Sequence, residues 1–160
     1  MEEWIKSIIN STSQSRAEKP PRINRVPSVL RDTKDYEKYC EPRFVSIGPY
    51  HYGKSNLHHV QKLKYRIANK FASNDQQQLK VLYDKLFEKI EEVKESYDNE
   101  NLASEFDDNK KLAQMMLLDG CFVLYYIKSV VGEKTYKEDL EMKSHVITCV
   151  GQDLFLLENQ

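Results

Sequence analysis

Four side chains in this sequence are of types that move protons: Asp119, Asp153, Glu158 and His51. Two carboxylates held together away from water can act as general acid and base, because burial raises the pKa of one toward neutrality. Asp119 and its neighbour Gly120 fall in the most apolar stretch of the chain, Lys111 to Val131, where periodicity calls for neither a charge nor a glycine. Helix positions alone do not bring Asp119 to Asp153 or Glu158. The expected role of Asp119 is therefore structural, as a buried carboxylate that accepts backbone hydrogen bonds or pairs with a base such as Arg25, Arg31 or Arg43. An enzyme of unknown class built on these four residues is the second reading.

Other chemistries find weaker support. His51, His58 and His59 are close in sequence, but His58 and His59 are neighbours at a helix start, about 100 degrees apart, and no cysteine completes a ligand set. No metal and no cofactor is expected. Cys121 would need a nearby base such as His51 and an exposed thiolate to be a nucleophile, and between Gly120 and Phe122 it reads as a small apolar filler. The sequence contains no phosphate-binding glycine loop, no HExxH and no GxSxG. Cys40, Cys121 and Cys149 are odd in number and far apart, which argues against a disulfide framework and for a reducing, cytoplasmic setting.

These residues need elements to position them, and 160 residues with 40% hydrophobic content suffice for one domain with a core. Net charge is -1, unevenly spread: Arg16 to Arg66 holds 12 Lys and Arg against 5 acids, and Ile67 to Gln160 holds 11 Lys against 18 acids. Mutual attraction of the two parts is the plain reading, and an anionic partner for the basic front half is the sharper one. With no recognised reader motif, nucleic acid is not an expected partner.

Residues 1-21 read as a short amphipathic helix, with Trp4, Ile5, Ile8 and Ile9 on one face, followed by a flexible linker ending in Pro20-Pro21. Residues 22-160 read as a helical domain. Ser28 is placed to cap a short turn, and Phe44, Val45 and Ile47 have strand propensity before Gly48-Pro49 ends the run, which allows an edge strand or an extended arm. Four principal helices are expected at 57-72, 77-97, 109-131 and 143-159. Lys62, Lys64, Arg66 and Lys70 are assigned to the polar positions of the first. The fold class is mainly α, with an extended N-terminal arm and at most one or two short strands.

Leu112 to Val131 has the length of a membrane span but contains Gln114, Asp119 and Lys128, and a central Asp costs about 2.5 to 3.5 kcal/mol on insertion. A buried core helix is expected, with no transmembrane span in this chain.

Four strings occur in order: Ile23-x-x-Val26-Pro27-x-x-Leu30-Arg31; Pro42-x-x-Val45-Ser46-Ile47-Gly48-Pro49-Tyr50-His51; Met115-Met116-Leu117-Leu118-Asp119-Gly120-Cys121-Phe122; and Asp153-Leu154-x-Leu156-Leu157-Glu158-Asn159-Gln160. Together they resemble the plant family catalogued as domain of unknown function 247, over Arg22 to Gln160. The resemblance implies a longer family domain of which this chain is the N-terminal part, since the family pattern continues with Ile-Pro after Gln160. Many full-length relatives carry a hydrophobic membrane segment near the C-terminus. It brings no established catalytic activity or cofactor, and some grass members are associated with self-incompatibility. The expected function is therefore a non-enzymatic plant interaction or recognition module with an unknown protein partner.

Overall fold

The computed structural model describes residues 3, 6, 22-24, 26-31, 36, 40-97, 104-132 and 142-156. Of the N-terminal helix and linker expected over 1-21 only Glu3 and Lys6 are described, both helical and exposed; the rest, with Glu158, Asn159 and Gln160 of the last string, lies outside the described residues.

A single helical turn, Ser28–Arg31, comes first, and the Arg31 N–H donates to the Pro27 carbonyl. Ser28 is thus the first helical residue rather than a cap outside the turn. Residues 42-54 follow as an irregular arm. Then a 3-10 turn, Ser55–Leu57, leads into helix α1, His58–Phe71, matching the 57-72 expectation. Ser73 and Asn74 leave α1 in left-handed backbone, φ 55° and 59°. Asp75 then caps α2, Gln76–Phe87, by accepting the Gln77 N–H at 2.8 Å.

The helix expected over 77-97 is two helices, α2 and α3, Ile90–Glu95. At the break the Lys89 N–H reaches the Leu86 carbonyl, one residue short of helical spacing, and no Pro or Gly is involved. Burial changes across the break: Ile90 is buried and Val93 packs beside it in a cluster with Phe106 and Leu112, whereas α2 contributes no fully buried residue, its Tyr83 packing on the same cluster from outside.

Helix α4, Asn109–Val131, has the expected bounds. Asp108 caps its start by accepting the Lys110 N–H at 2.9 Å, and Gly132, at φ 106°, ends it in the left-handed conformation that glycine adopts without a Cβ penalty. Helix α5, Ser144–Phe155, is the last described element, and residues 157-159 of the helix expected at 143-159 lie outside the described residues.

Among the described residues there is no strand, only one isolated parallel bridge between Ile23 and Tyr97. Phe44, Val45 and Ile47 are in no strand; the N–H groups of Phe44 and Val45 are taken by a carboxylate instead of a neighbouring strand. The fold is mainly helical, with an extended arm laid over the helices.

Helix α4 is the axis. Its first half, through Leu112, Ala113 and Met115, packs with Ile90 and Phe106. Its second half, through Phe122 and Tyr125, packs with Val60, Leu63 and Ile67 of α1, Val150 of α5, and Val45 and Ile47 of the arm. By length and composition α4 could cross a membrane. In this fold Leu112, Ala113 and Phe122 are fully buried against neighbouring helices, and Asp119 sits between the two clusters.

Candidate functional site

Asp119 is 3% exposed, and both its oxygens accept hydrogen bonds. One takes the Lys64 ammonium at 2.5 Å; the other takes the Gly48 N–H at 2.8 Å. The same Lys64 ammonium donates to the Ser46 carbonyl at 2.5 Å. Lys64 comes from α1, Asp119 from α4, and Ser46 and Gly48 from the arm, so three segments meet at one buried ion pair. Gly48 is needed at this point because its φ of 77° lies in the left-handed region. A Cβ there would also stand 3.4 Å from the Tyr97 hydroxyl.

Burial pushes the Asp119 pKa up, and the nearby Lys64 charge, the bond from Lys64 and the Gly48 N–H pull it back. An isolated charge at this depth would cost several kcal/mol, and a partner that is both cationic and hydrogen-bonded offsets most of that cost.

Asp153, on α5, is 4% exposed. Its carboxylate accepts three consecutive arm N–H groups: Arg43 at 3.1 Å to each oxygen, Phe44 at 2.6 Å and Val45 at 2.9 Å. Successive N–H groups converging on one anion form a small positive nest, which suits a carboxylate without any cationic side chain.

Ahead of the arm, Ile23 is held at both backbone groups. Its N–H donates to the Ser96 carbonyl at 2.7 Å, and its carbonyl accepts the Tyr50 hydroxyl at 2.7 Å. Tyr50 stands edge-on to Tyr97, centroids 5.6 Å apart. Burial, aided by Tyr50 and Asp119, pushes the Tyr97 pKa up to about 12.

The sequence candidates therefore divide. Asp119 and Asp153 attach to the same arm, but at different places and through different donors. His51 is 3% exposed on that arm, in the buried run with Gly48, Pro49 and Tyr50. Glu158 lies outside the described residues, as does Arg25. The base that pairs with Asp119 is Lys64, not Arg31 or Arg43, whose side chains are exposed. Lys64, assigned from sequence to a polar position, is 1% exposed. A signal existed for it: Leu57, Val60, Lys64, Ile67 and Phe71 are spaced by three and four, so Lys64 lies on the apolar stripe itself.

Cys121 is buried, and burial pushes its thiol pKa up, away from thiolate formation. Phe122 is in the core, Gly120 is exposed, Val26 is half-buried, and Pro27 and Arg31 are exposed; the Leu30 side chain is outside the description. Among the described residues no group of three or more His, Cys, Asp or Glu is placed to hold a metal ion. Away from the carboxylates, an open groove of about 660 Å³ lies between α1, α2 and α4, with Tyr65, Leu79, Tyr83, Leu117 and Leu118 among its walls.

All four sequence strings thus meet at the arm: Tyr50 is bonded to Ile23 of the first, and Gly48 and Val45 to Asp119 of the third and Asp153 of the fourth. An all-helical domain whose buried acids fasten an irregular arm is the class of protein this geometry defines. Residues 23–160 match domain of unknown function 247, described as plant protein of unknown function, and the chain belongs to that family. It is 33% identical over 144 residues to a UPF0481 protein of Arabidopsis thaliana, covering 86% of this chain. The chain spans 28% of the length of that curated relative. No solved structure matches.

Proposed function

We propose that this chain is a non-enzymatic interaction module that binds a peptide segment of a partner protein in the groove between α1, α2 and α4. The observation that carries the reading is the use made of the acids. Both oxygens of Asp119 and both of Asp153 accept hydrogen bonds inside the fold, and both side chains are buried, which supports a structural over a catalytic use of these acids. The groove, by contrast, is open, with the bodies of Tyr65 and Tyr83 and the apolar Leu79, Leu117 and Leu118. Aromatic and aliphatic walls of this kind supply most of the contact energy at protein interfaces. Asn69, Gln76 and Gln77 at the same groove carry amides that both donate and accept, as a peptide backbone requires. The excess positive charge of the front half gives less support to an anionic partner, since Lys64 is neutralised internally by Asp119.

The test compares wild type with Tyr65→Ala and Gln77→Ala in affinity capture from plant extract, followed by binding of the purified captured protein. Tyr65 is 61% exposed, so its loss leaves the core intact. The expected result is binding weakened by roughly tenfold or more, as for loss of an interface aromatic. Equal binding by wild type and both variants would overturn the groove as the site.

A further inference from the structure

One face of α4 is covered along its first half and bare along its second. Ala113, Met116, Gly120, Leu124, Ile127 and Val131 follow one another at spacings of three and four, so they lie along one stripe. Ala113 is fully buried, and Met116 packs against the cluster of Ile90, Phe106 and Met115, on which Tyr83 of α2 and Val93 of α3 also pack. From Gly120 onward the cover stops among the described residues. Leu124 is 50% exposed, Ile127 49% and Val131 78%. Gly120 is exposed, and a Cβ added to it would meet nothing within 4 Å.

A helix that needs no more than one apolar face for its own packing does not place Leu, Ile and Val at regular spacing on the opposite one. The bare half continues, without change of register, the stripe that α2 and α3 already cover, so its geometry suits one more helix in the same layer. A side-chain-free position at the start of the bare half lets that helix approach closely. Sequence to supply it exists in the family: the Arabidopsis relative has 72% of its length (100 less 28) outside the matched stretch.

We propose that Gly120, Leu124, Ile127 and Val131 form the seat of an apolar-faced helix contributed, in the longer family chains, by the part that lies outside the matched stretch. The seat is intramolecular there, and distinct from the groove assigned to a partner, so either reading can fail alone.

The test places Glu at two positions in two proteins: Leu124→Glu with Ile127→Glu in this chain, and Glu at the aligned positions of the full-length Arabidopsis relative. Thermal unfolding is read for both. In this chain the Tm should move by no more than about 2 °C, as for exposed sites. In the relative it should fall by roughly 5 °C or more, or the variant should fail to fold, because two charges now oppose a buried seam. An unmoved Tm in the relative overturns the proposal, as does loss of folding in this chain. So does a homodimer of this chain that the Glu pair splits, which gives the face to a second copy. Sedimentation with phosphatidylcholine–phosphatidylserine vesicles that the Glu pair abolishes gives it to a lipid surface and overturns the proposal equally.

Discussion

Asp119 and Asp153 hold one arm from two different helices: Asp153 on α5 takes the Val45 N–H and Asp119 on α4 takes the Gly48 N–H, three residues further on. Between those points Val45 and Ile47 enter the core. The arm has no sheet partner, and buried carboxylates supply the acceptors that a neighbouring strand would otherwise provide.

Removing the Asp153 acceptor should loosen the arm at its start. Asp153→Ala leaves the Phe44 and Val45 N–H groups without their bond partner, and the expected loss is about 2 to 4 kcal/mol in urea unfolding. Asp153→Asn retains one acceptor oxygen and should lose less. A change below about 0.5 kcal/mol in the alanine variant would contradict the clamp.

Lys64 and Asp119 should behave as a unit. Lys64→Met or Asp119→Asn alone strands a buried group and should cost about 3 to 5 kcal/mol. The double variant should cost clearly less than the sum, because no charge is left unpaired and the Asn oxygen can still accept the Gly48 N–H. Additive losses in this double-mutant cycle would mean that the pair is not coupled.

Gly151 should tolerate no side chain while Tyr126 keeps its hydroxyl. A Cβ there would lie 2.5 Å from the Tyr126 oxygen, which donates to the Ile147 carbonyl at 3.0 Å. Gly151→Ala should destabilise by about 1 to 3 kcal/mol, and adding Tyr126→Phe should restore part of it. Thermal unfolding of wild type and the two variants reads this directly.

Gly120→Ala should stabilise this chain. The position is helical, exposed and open around its Cβ, so the gain is the helix propensity difference of about 0.8 to 1 kcal/mol. That corresponds to a Tm rise of roughly 2 to 4 °C. A lower Tm would show that something occupies the space beside Gly120.

Alkali should expose Tyr97. Its folded pKa is raised from 10.0 to about 12, chiefly because burial penalises the phenolate. A raised folded pKa gives a contribution that is complete below the unfolded pKa and is lost as pH rises through the folded one. The stability difference between wild type and Tyr97→Phe should therefore shift against wild type between pH 10 and about 12. Phenolate absorbance should show a late-titrating tyrosine in wild type that is lost in the variant; an unchanged absorbance titration would contradict the assignment.

Much of this architecture is readable from local pattern. The bounds of α4 follow from Asp108 as cap and Gly132 as stop, and α1 follows from its apolar spacing, since caps and periodicity act within a few residues. The break between α2 and α3 is not readable, because the Lys89 N–H turns to the Leu86 carbonyl with no Pro or Gly to mark the place. Nor is the partner of Asp119. Lys64 is 55 residues away and the Gly48 N–H 71 away, and periodicity says which face is buried without saying what it meets. Lys64 was hidden by its charge: on an apolar stripe, a lysine reads as solvated unless a buried acid is paired with it.

The distance in sequence between Asp153 and the arm also sets an order of events during synthesis. The carboxylate lies 110 residues after the Arg43 N–H it accepts, so at roughly 5 to 20 residues per second the start of the arm leaves the ribosome about 5 to 20 s before Asp153 does. Asp119, 71 residues after the Gly48 N–H it takes, emerges sooner, so the arm gains its later anchor first and its earlier one last. During that interval the Arg43, Phe44 and Val45 N–H groups await their acceptor.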